Sequence, residues 1–537
     1  MSNDVLLKKA KQSQVIYEDL IRRFDIHSIP TTFVADESRE KQFYKACIDN
    51  NPFPVPLNVS ILKKRVPCVQ KLFEDEKVLQ TPAIAAVLAA CSSVATEIGA
   101  LRGDDVKYAT TECDVAFAGL QAVRLYMADH KGTPFTLSRV KSAIRVNNAL
   151  NGSFFKYRAK DGRDVSFHVY YQSQQKKLVE ALPFSKAYDK YNMLSLPQDK
   201  KEMAKVVGQF DAQELEELSF DCGACGCMIR SREEWENTEV GKAVMDMPLI
   251  RLNMVGRSRK RPKWGPTTKR GPLSGIKVLD LTHIIAGPAC SRILAEYGAD
   301  VLLVRRGKFN DQEQAMLEFD GWAGKNSIQL DFNIPWHLEK CKELIRQADV
   351  VTYSYQNGTL DKFGLSEADI RELNPNIIYS NLMCFSDSVW KQRPGWAPLA
   401  EDITGLSVRN GTLENPVNLN GVPLDYFPGF ILALGTLLAI RKKLKQGGGY
   451  KVTTSLTRGA QYLHECTDLC EQSLDGEFSS RVSEKAVSPL WGRFLIPVDG
   501  CATGLALFPN AATANSRYEL NVDNYRFTDG NTGWQQR

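Results

Sequence analysis

Apolar and polar positions follow their clearest pattern after residue 272. Residues 276–281, IKVLDL, are a short β-branched, apolar run that predicts a strand. The loop Thr282-His283-Ile284-Ile285-Ala286-Gly287-Pro288 follows. Residues 289–297 then have helical spacing, and residues 300–304, DVLLV, predict a second strand, which completes a βαβ unit. The pattern recurs, with residues 327–331 as strand, 335–348 as helix and 350–353 as strand. Pro335 suits a first helical turn, where a missing N–H costs nothing. Ser366 and Asp369 have capping-box spacing for a short helix that stops before Asn374-Pro375, and residues 377–383 predict a further strand. Alternation of this kind predicts an α/β fold with a parallel, Rossmann-like sheet covered on both faces and a smaller α+β domain.

Residues 83–116 and 427–460 align without a gap at an offset of 344. Gly103 meets Gly447, Lys107 meets Lys451, Thr110 meets Thr454 and Ala116 meets Ala460. Each stretch reads as an apolar helix, a glycine turn and a short strand, so an internal duplication is expected, with two copies only. The expected layout is a degenerate first copy at 1–255, a basic linker at 256–271, a second copy at 272–470 and a weakly packed tail at 471–537. The linker's basic run GRSRKRPKWGPTTKR reads as a solvated connector.

The chain has 537 residues, enough for two to four domains and a substantial core. Apolar residues make up 43% and charged residues 24%, which excludes disorder as a description of the whole chain. The net charge of +5 is too small to argue for nucleic acid as the main partner. Thirteen cysteines in this length read as reduced thiols rather than a disulfide framework. The first 25 residues lack a secretory apolar core, the run 430–440 is too short to span a bilayer, and Trp-Gln-Gln-Arg is no peroxisomal address. The expectation is a cytoplasmic protein without a membrane partner.

The segment GIKVLDLTHIIAGPACSRILAEYGADVLLVRR closely resembles the opening of the class III CoA-transferase family, also called CaiB/BaiF. Further matches follow in the family's order. They are Lys325-Asn326-Ser327-Ile328-Gln329-Leu330-Asp331, Ala348-Asp349-Val350-Val351, Phe363-Gly364-Leu365, Leu373-Asn374-Pro375, Pro394-Gly395-Trp396 and Gly421-Val422-Pro423-Leu424-Asp425-Tyr426. Residues 272–470 resemble the family's N-terminal half. Residues 154–169 and 210–234 resemble its later portion, with an Asp161-Gly162-Arg163 turn and the run Ser231-Arg232-Glu233-Glu234-Trp235. Family members form interlocked ring-shaped dimers, so the resemblance implies a homodimer or a tandem chain acting as its own pseudo-dimer, with the two remnants complementing each other.

The resemblance implies covalent catalysis by Asp425, which would carry the acyl group and then CoA between an acyl-CoA and a carboxylic acid. CoA and acyl-CoA would be substrates, with no tightly bound cofactor and no metal. Asp425 precedes a helix expected to start near Pro428, where free N–H groups and the dipole stabilise a carboxylate; the bland alternative is an N-cap aspartate without chemistry. The offset places Thr81 at the duplicate position, so at most one copy is catalytic. By resemblance CoA would lie along His283, Ile285, Arg306, Leu330, Tyr355 and Lys362. Ile285 stands where formyl-CoA transferases have glutamine, which disfavours a formyl group. Trp396 and Ala397 stand where racemases of this fold have a histidine–aspartate pair. The nearby acids Glu401 and Asp402 receive no role, and the glycine loop that shields the site in formyl-CoA transferases is not found.

Asp221-Cys222-Gly223-Ala224-Cys225-Gly226-Cys227 has CxxCxC spacing but no fourth ligand nearby, and reads as a structural turn. The six histidines are scattered, and neither a Walker loop nor GxGxxG after a strand occurs. Gly447-Gly448-Gly449 reads as a helix C-cap turn. Two other readings stay open, a catalytically dead CoA-binding or scaffolding pseudoenzyme and an acyl-CoA racemase or isomerase.

Overall fold

The computed structural model describes residues 2–27, 29–36, 70–123, 129–130, 133–134, 154–169, 172–184, 197–256, 260–268, 271–305, 321, 324–386, 388–473, 482–483, 491–498, 501–509 and 513–515. Its centre is a seven-stranded sheet. In chain order the strands are β1 (Arg251–Met254), β2 (Lys277–Leu281), β3 (Asp300–Arg305), β4 (Asn326–Gln329), β5 (Val350–Tyr353), β6 (Ile378–Met383) and β7 (Tyr450–Ser455). Their spatial order is β4-β3-β2-β5-β6-β7-β1. All pairs are parallel except β7 with β1, which runs antiparallel at one edge. The expected strands therefore all form, and the first half adds the edge strand β1. The chain winds outward from β2 in one direction and from β5 in the other. This reversal leaves a crevice beyond the carboxyl ends of β2 and β5, the usual ligand site in a sheet of this topology.

Five long helices organise the core: α1 (Ser2–Arg23), α2 (Gln80–Leu101), α3 (Ala286–Glu296), α4 (Pro423–Gln446) and α5 (Leu456–Ser473). Both α2 and α4 are apolar nearly all round and almost wholly buried, as such helices must be. They pack on one another. By length and composition either could cross a membrane, but each has found its apolar surroundings inside the protein. The run 430–440 is thus part of a 24-residue helix. That helix begins at Pro423, earlier than expected, and Pro428 lies inside it. Pro423 occupies the first turn, where no N–H is needed. Gly447, at φ +71°, ends the helix.

Arg441 of α4 and Glu97 of α2 form a buried ion pair, with both carboxylate oxygens 3.0 Å from Nη1. Arg441 also donates to the Asp25 and Phe24 carbonyls. These two positions are 344 residues apart, the offset that relates the two apolar helices in the sequence. The ungapped register fails beyond the helices. The following strands end at Asp114 and Ser455, three residues out of that register, because the loop after α2 is longer than the glycine turn after α4.

The first half and the tail form further, smaller sheets. Thr31–Val34 and Thr111–Asp114 pair in parallel, and the tail segments Val482–Ser483 and Thr513–Asn515 flank them; Trp491–Val498 and Cys501–Pro509 form a hairpin. Phe154–Arg158, Asp164–His168 and Gly226–Met228 form an antiparallel sheet, turned at Gly162 with φ +78°. This small sheet packs on the helix Ala397–Ile403, so the two remnants are in contact. The linker is held rather than free: Arg102 donates to the Gly265 carbonyl, and the Trp264 indole to Asp349.

Removing one partner of a buried ion pair leaves the other charge uncompensated. Glu97→Ala is expected to lower stability by about 3–5 kcal/mol in urea denaturation, whereas Glu97→Leu with Arg441→Met recovers most of that loss.

Candidate active site

A buried charge cluster underlies the crevice. Asp280 on β2 accepts from the Thr282 N–H at 3.1 Å, from Thr352 Oγ1 on β5 at 3.0 Å and from Ser291 Oγ on α3 at 2.6 Å. Lys325, ahead of β4, donates to Asp280 at 2.7 Å, to Ser291 Oγ at 2.8 Å and to the Pro288 carbonyl at 2.9 Å. Burial pulls the Lys325 ammonium below its ordinary pKa, against the attraction of Asp280. These bonds join two central strands, the helix behind them and the loop 282–288. The loop is shaped tightly. Ile284 has φ +65°, a left-handed conformation that a β-branched residue rarely adopts. A Cβ at Gly287 would lie 2.6 Å from Thr282 Cβ and 2.7 Å from Ser354 Oγ, so only glycine lets the loop close on β5.

Above the loop is a cleft of about 170 Å³. His283 and Tyr355 form one wall, stacked with ring centroids 4.4 Å apart and planes 9° from parallel. The His283 N–H donates to Ser354 Oγ, and its Nδ1 is enclosed without a partner among the described residues. Burial lowers the His283 pKa to about 4, so the imidazole is neutral at pH 7. Lys391, Arg393, Trp396 and, from the first half, Gln174 also line the cleft. Arg393 is engaged by Glu217 at 2.6 Å and by the Trp390 and Phe220 rings, at 4.0 and 3.9 Å.

Asp425 also lines this cleft, in the first turn of α4 and partly accessible from it. It is not an N-cap, a role held by Val422, and its carboxylate accepts no hydrogen bond from the described residues. The entry to α4 is fixed from the first half: the Val422 N–H donates to the Ala122 carbonyl, and a Cβ on Gly421 would lie 2.5 Å from that oxygen. Gly429 seats α4 on the loop, since a Cβ there would lie 2.2 Å from the Ala286 carbonyl oxygen.

Desolvation, and then the nearby Glu401 charge, push the Asp425 carboxyl up to about 8. Glu401 is itself raised to about 7 by burial, although the Asn418 amide and the Leu419 N–H, at 2.9 and 3.0 Å, favour its ionised form. Asp402 behaves oppositely. Burial acts to raise it, but the His168 hydrogen bond and the Lys156 ammonium at 3.0 Å outweigh that and hold it near 2. Asp402 ties the small sheet to the large domain, while Glu401 sets the charge around Asp425.

Of the residues singled out from the sequence, His283, Ile285, Tyr355 and Asp425 come together on this cleft. Leu330 does not line it; the side chain is buried in the core between β3, β4 and the helix Pro335–Gln347. Lys362 does not line it either, and sits exposed over the Phe363 ring. Arg306 falls outside the described residues. Thr81, at the duplicate position, is fully buried and donates to Glu76 at 2.5 Å, so its hydroxyl faces no cleft among the described residues. Gln174, Glu401, Lys391 and Arg393 had no distinguishing sequence signal, since contacts between distant segments bring them to the site. Among the described residues no group of three or more His, Cys, Asp or Glu could hold a metal ion.

Residues 273–490 match the family model of CoA-transferase family III. Over this segment the chain is similar to that family. The class III segment carries the whole parallel sheet except β1, and most of the cleft wall. The chain is 32% identical to an acyl-CoA transferase of Gibberella moniliformis over 298 residues, covering 53% of this chain and 52% of the relative. It is 27% identical to the acetyl-coenzyme A transferase nodX of Hypoxylon pulicicidum over 336 residues, covering 59% and 56%. It is 31% identical to the succinyl-CoA:mesaconate CoA-transferase of Haloarcula hispanica over 230 residues, covering 39% and 58%. The chain thus spans about half the length of the curated relatives it matches.

The raised Asp425 pKa has a consequence for stability. The fold favours the neutral carboxyl, so its contribution is fully present below the ordinary value near 3.8 and is lost as pH rises through about 8. Asp425→Asn is therefore expected to raise the thermal midpoint relative to wild type at pH 8.5 but not at pH 3.5, in parallel melts at the two pH values.

Proposed function

We propose that the protein transfers CoA between an acyl-CoA and a carboxylic acid, with Asp425 as the covalent carrier. The observation that carries this reading is a carboxyl in the first turn of α4, without a hydrogen-bond partner among the described residues and lining the crevice beyond β2 and β5. A capping aspartate would be held by backbone N–H groups, and this one is not. The match of residues 273–490 to CoA-transferase family III supports the same assignment.

The reaction divides into four exchanges. The Asp425 carboxylate attacks the donor thioester carbonyl; the C–S bond breaks, giving an acyl–aspartyl anhydride and CoA thiolate. The thiolate attacks the aspartyl carbonyl and expels the donor's carboxylate, leaving an aspartyl–CoA thioester. The acceptor carboxylate attacks that thioester, forming a new anhydride and releasing the thiolate. The thiolate takes the acceptor's acyl group and restores the Asp425 carboxylate. Each exchange has a competent leaving group, which direct attack on a free carboxylate lacks. Desolvation keeps Asp425 basic and so more nucleophilic once ionised. The neutral His283–Tyr355 stack gives a flat apolar wall against which an adenine or a pantetheine arm can lie. With Thr81 sealed in the first half, one chain offers one such centre, and the first half serves as its own partner ring.

Intact-mass spectrometry after incubation with acyl-CoA is expected to find an acyl or CoA adduct that hydroxylamine removes, absent in Asp425→Ala. An adduct elsewhere, or none with any donor, would leave the pseudoenzyme reading. The transfer rate is expected to rise with pH as Asp425 ionises, levelling above about 8. Glu401→Gln removes the like charge and moves that limb to lower pH, which rate–pH profiles of the two proteins compare.

A further inference from the structure

The exchanges use the flat stack of His283 on Tyr355 but leave the polar edge of the imidazole without a task. One face of that ring is covered by Tyr355, and the main chain is pinned by its N–H to Ser354 Oγ at 3.2 Å. The two ring nitrogens differ. Nδ1 is enclosed and has no partner among the described residues. Nε2 makes no bond with the described residues and is not enclosed, on a residue that lines the cleft and is partly accessible. Orphaned N–H groups are rarer in folded proteins than under-used acceptors. The proton therefore belongs on Nε2, where cleft water or a ligand can meet it. Protonating the ring would add an N–H at Nδ1, where no acceptor waits, and burial holds the pKa near 4. The ring is a fixed, neutral donor rather than a proton carrier. The cleft's other side-chain nitrogens are engaged, enclosed or charged. Gln174 gives its amide to Cys225 Sγ, Gln356 gives its amide to the Gln392 carbonyl, Arg393 is held by Glu217, and Trp396 Nε1 is enclosed. Lys391 is exposed, and no cation offsets the burial and the Glu401 charge that raise Asp425.

We propose that His283 is a catalytic residue of the transfer, donating from Nε2 to the thioester carbonyl oxygen as negative charge develops there. This rests on the cleft being the acyl-transfer site. When an Asp425 oxygen adds to the carbonyl carbon, the π pair of the C=O bond moves to oxygen and gives a tetrahedral oxyanion. The Nε2–H bond stays intact, and its hydrogen bond to that oxygen strengthens. The pair then returns to form C=O as the C–S bond breaks, and the C–S electrons leave with the CoA sulfur. The fourth exchange passes through the same kind of oxyanion on the acceptor's acyl carbon, so one donor serves both ends of the reaction. A donor held in place beforehand, in a site poor in water, stabilises such charge without reorganising. Its neutrality also suits the nucleophile. An imidazolium or an ammonium in its place would pair with the Asp425 carboxylate and hold back its attack.

The test follows adduct formation on Asp425 by rapid quench and intact-mass spectrometry, over a concentration series of acetyl-, butyryl- or succinyl-CoA. His283→Phe keeps a flat ring against Tyr355 and removes the N–H. Its limiting rate constant is expected to fall about a hundred-fold, with the half-saturating concentration within about three-fold of wild type. His283→Gln returns an N–H donor and is expected to recover about ten-fold of that loss. His283→Leu repeats the deletion should phenylalanine disturb the fold, with melting curves to separate the two causes. In rate–pH profiles the glutamine variant is expected to keep the Asp425 limb at about 8. A wild-type limb at about 6.5, the ordinary histidine value, that glutamine abolishes would mark a proton-transferring imidazole and overturn the assignment. So does a phenylalanine variant that forms the adduct as fast as wild type, or one altered only in half-saturation. So does a Lys391→Met variant whose limiting rate falls further than that of His283→Phe. No adduct in the wild type removes the transfer reading and this assignment together, whereas an adduct unaffected by His283→Phe removes this assignment alone.

Discussion

The site depends on one buried charge pair. Asp280 and Lys325 are both inaccessible to solvent, and between them they bind the ends of two strands, the start of α3 and the loop over the crevice. In an apolar interior such a pair is tolerable only when its remaining donors and acceptors are filled, and here Ser291, Thr282, Thr352 and the Pro288 carbonyl fill them. The arrangement holds the loop in a shape it would not choose alone, with Ile284 in the left-handed region. The strain at Ile284 and the buried charge beneath it belong to one device that keeps the crevice open at a fixed width.

The second constraint is placed on Asp425 from outside the family segment. The Ala122 carbonyl fixes the entry to α4, and α2 lies along the helix through the Arg441–Glu97 pair. The small sheet, anchored by Lys156 and His168 on Asp402, brings Gln174 over the cleft. The first half is therefore part of the cleft's frame. At the position 344 residues before Asp425, Thr81 is buried and donates to Glu76.

Much of the sheet was legible because its signal is local. Runs such as 276–281 and 350–353 are β-branched and apolar, and the Ser366 capping box and Pro335 mark helix starts within a few residues of where they form. The start of α4 was misplaced because Pro428 looked like a first-turn proline, when Pro423 is the one that starts the helix. The ungapped register pairs two buried helices and slips where loop length changes. At the site, a motif could single out Asp425, and the loop 283–288 stood out for its position between strand and helix. Leu330 followed the same motif logic but faces inward, because side chains alternate along an extended segment and the neighbouring positions take the other face. Glu401 and Gln174 were illegible: one matters through a field and the other through a contact between segments far apart in the chain.

The burial of Thr81 has a consequence for how the molecule can be regulated. A pair of equivalent centres facing each other across a local axis can take turns, one loading while the other empties. On the proposed function, the described residues hold no second seat for that alternation, so cross-talk between centres would travel from one chain to another. The buried pair between α2 and α4 then joins the helix that carries Asp425 to a helix whose matching position is closed.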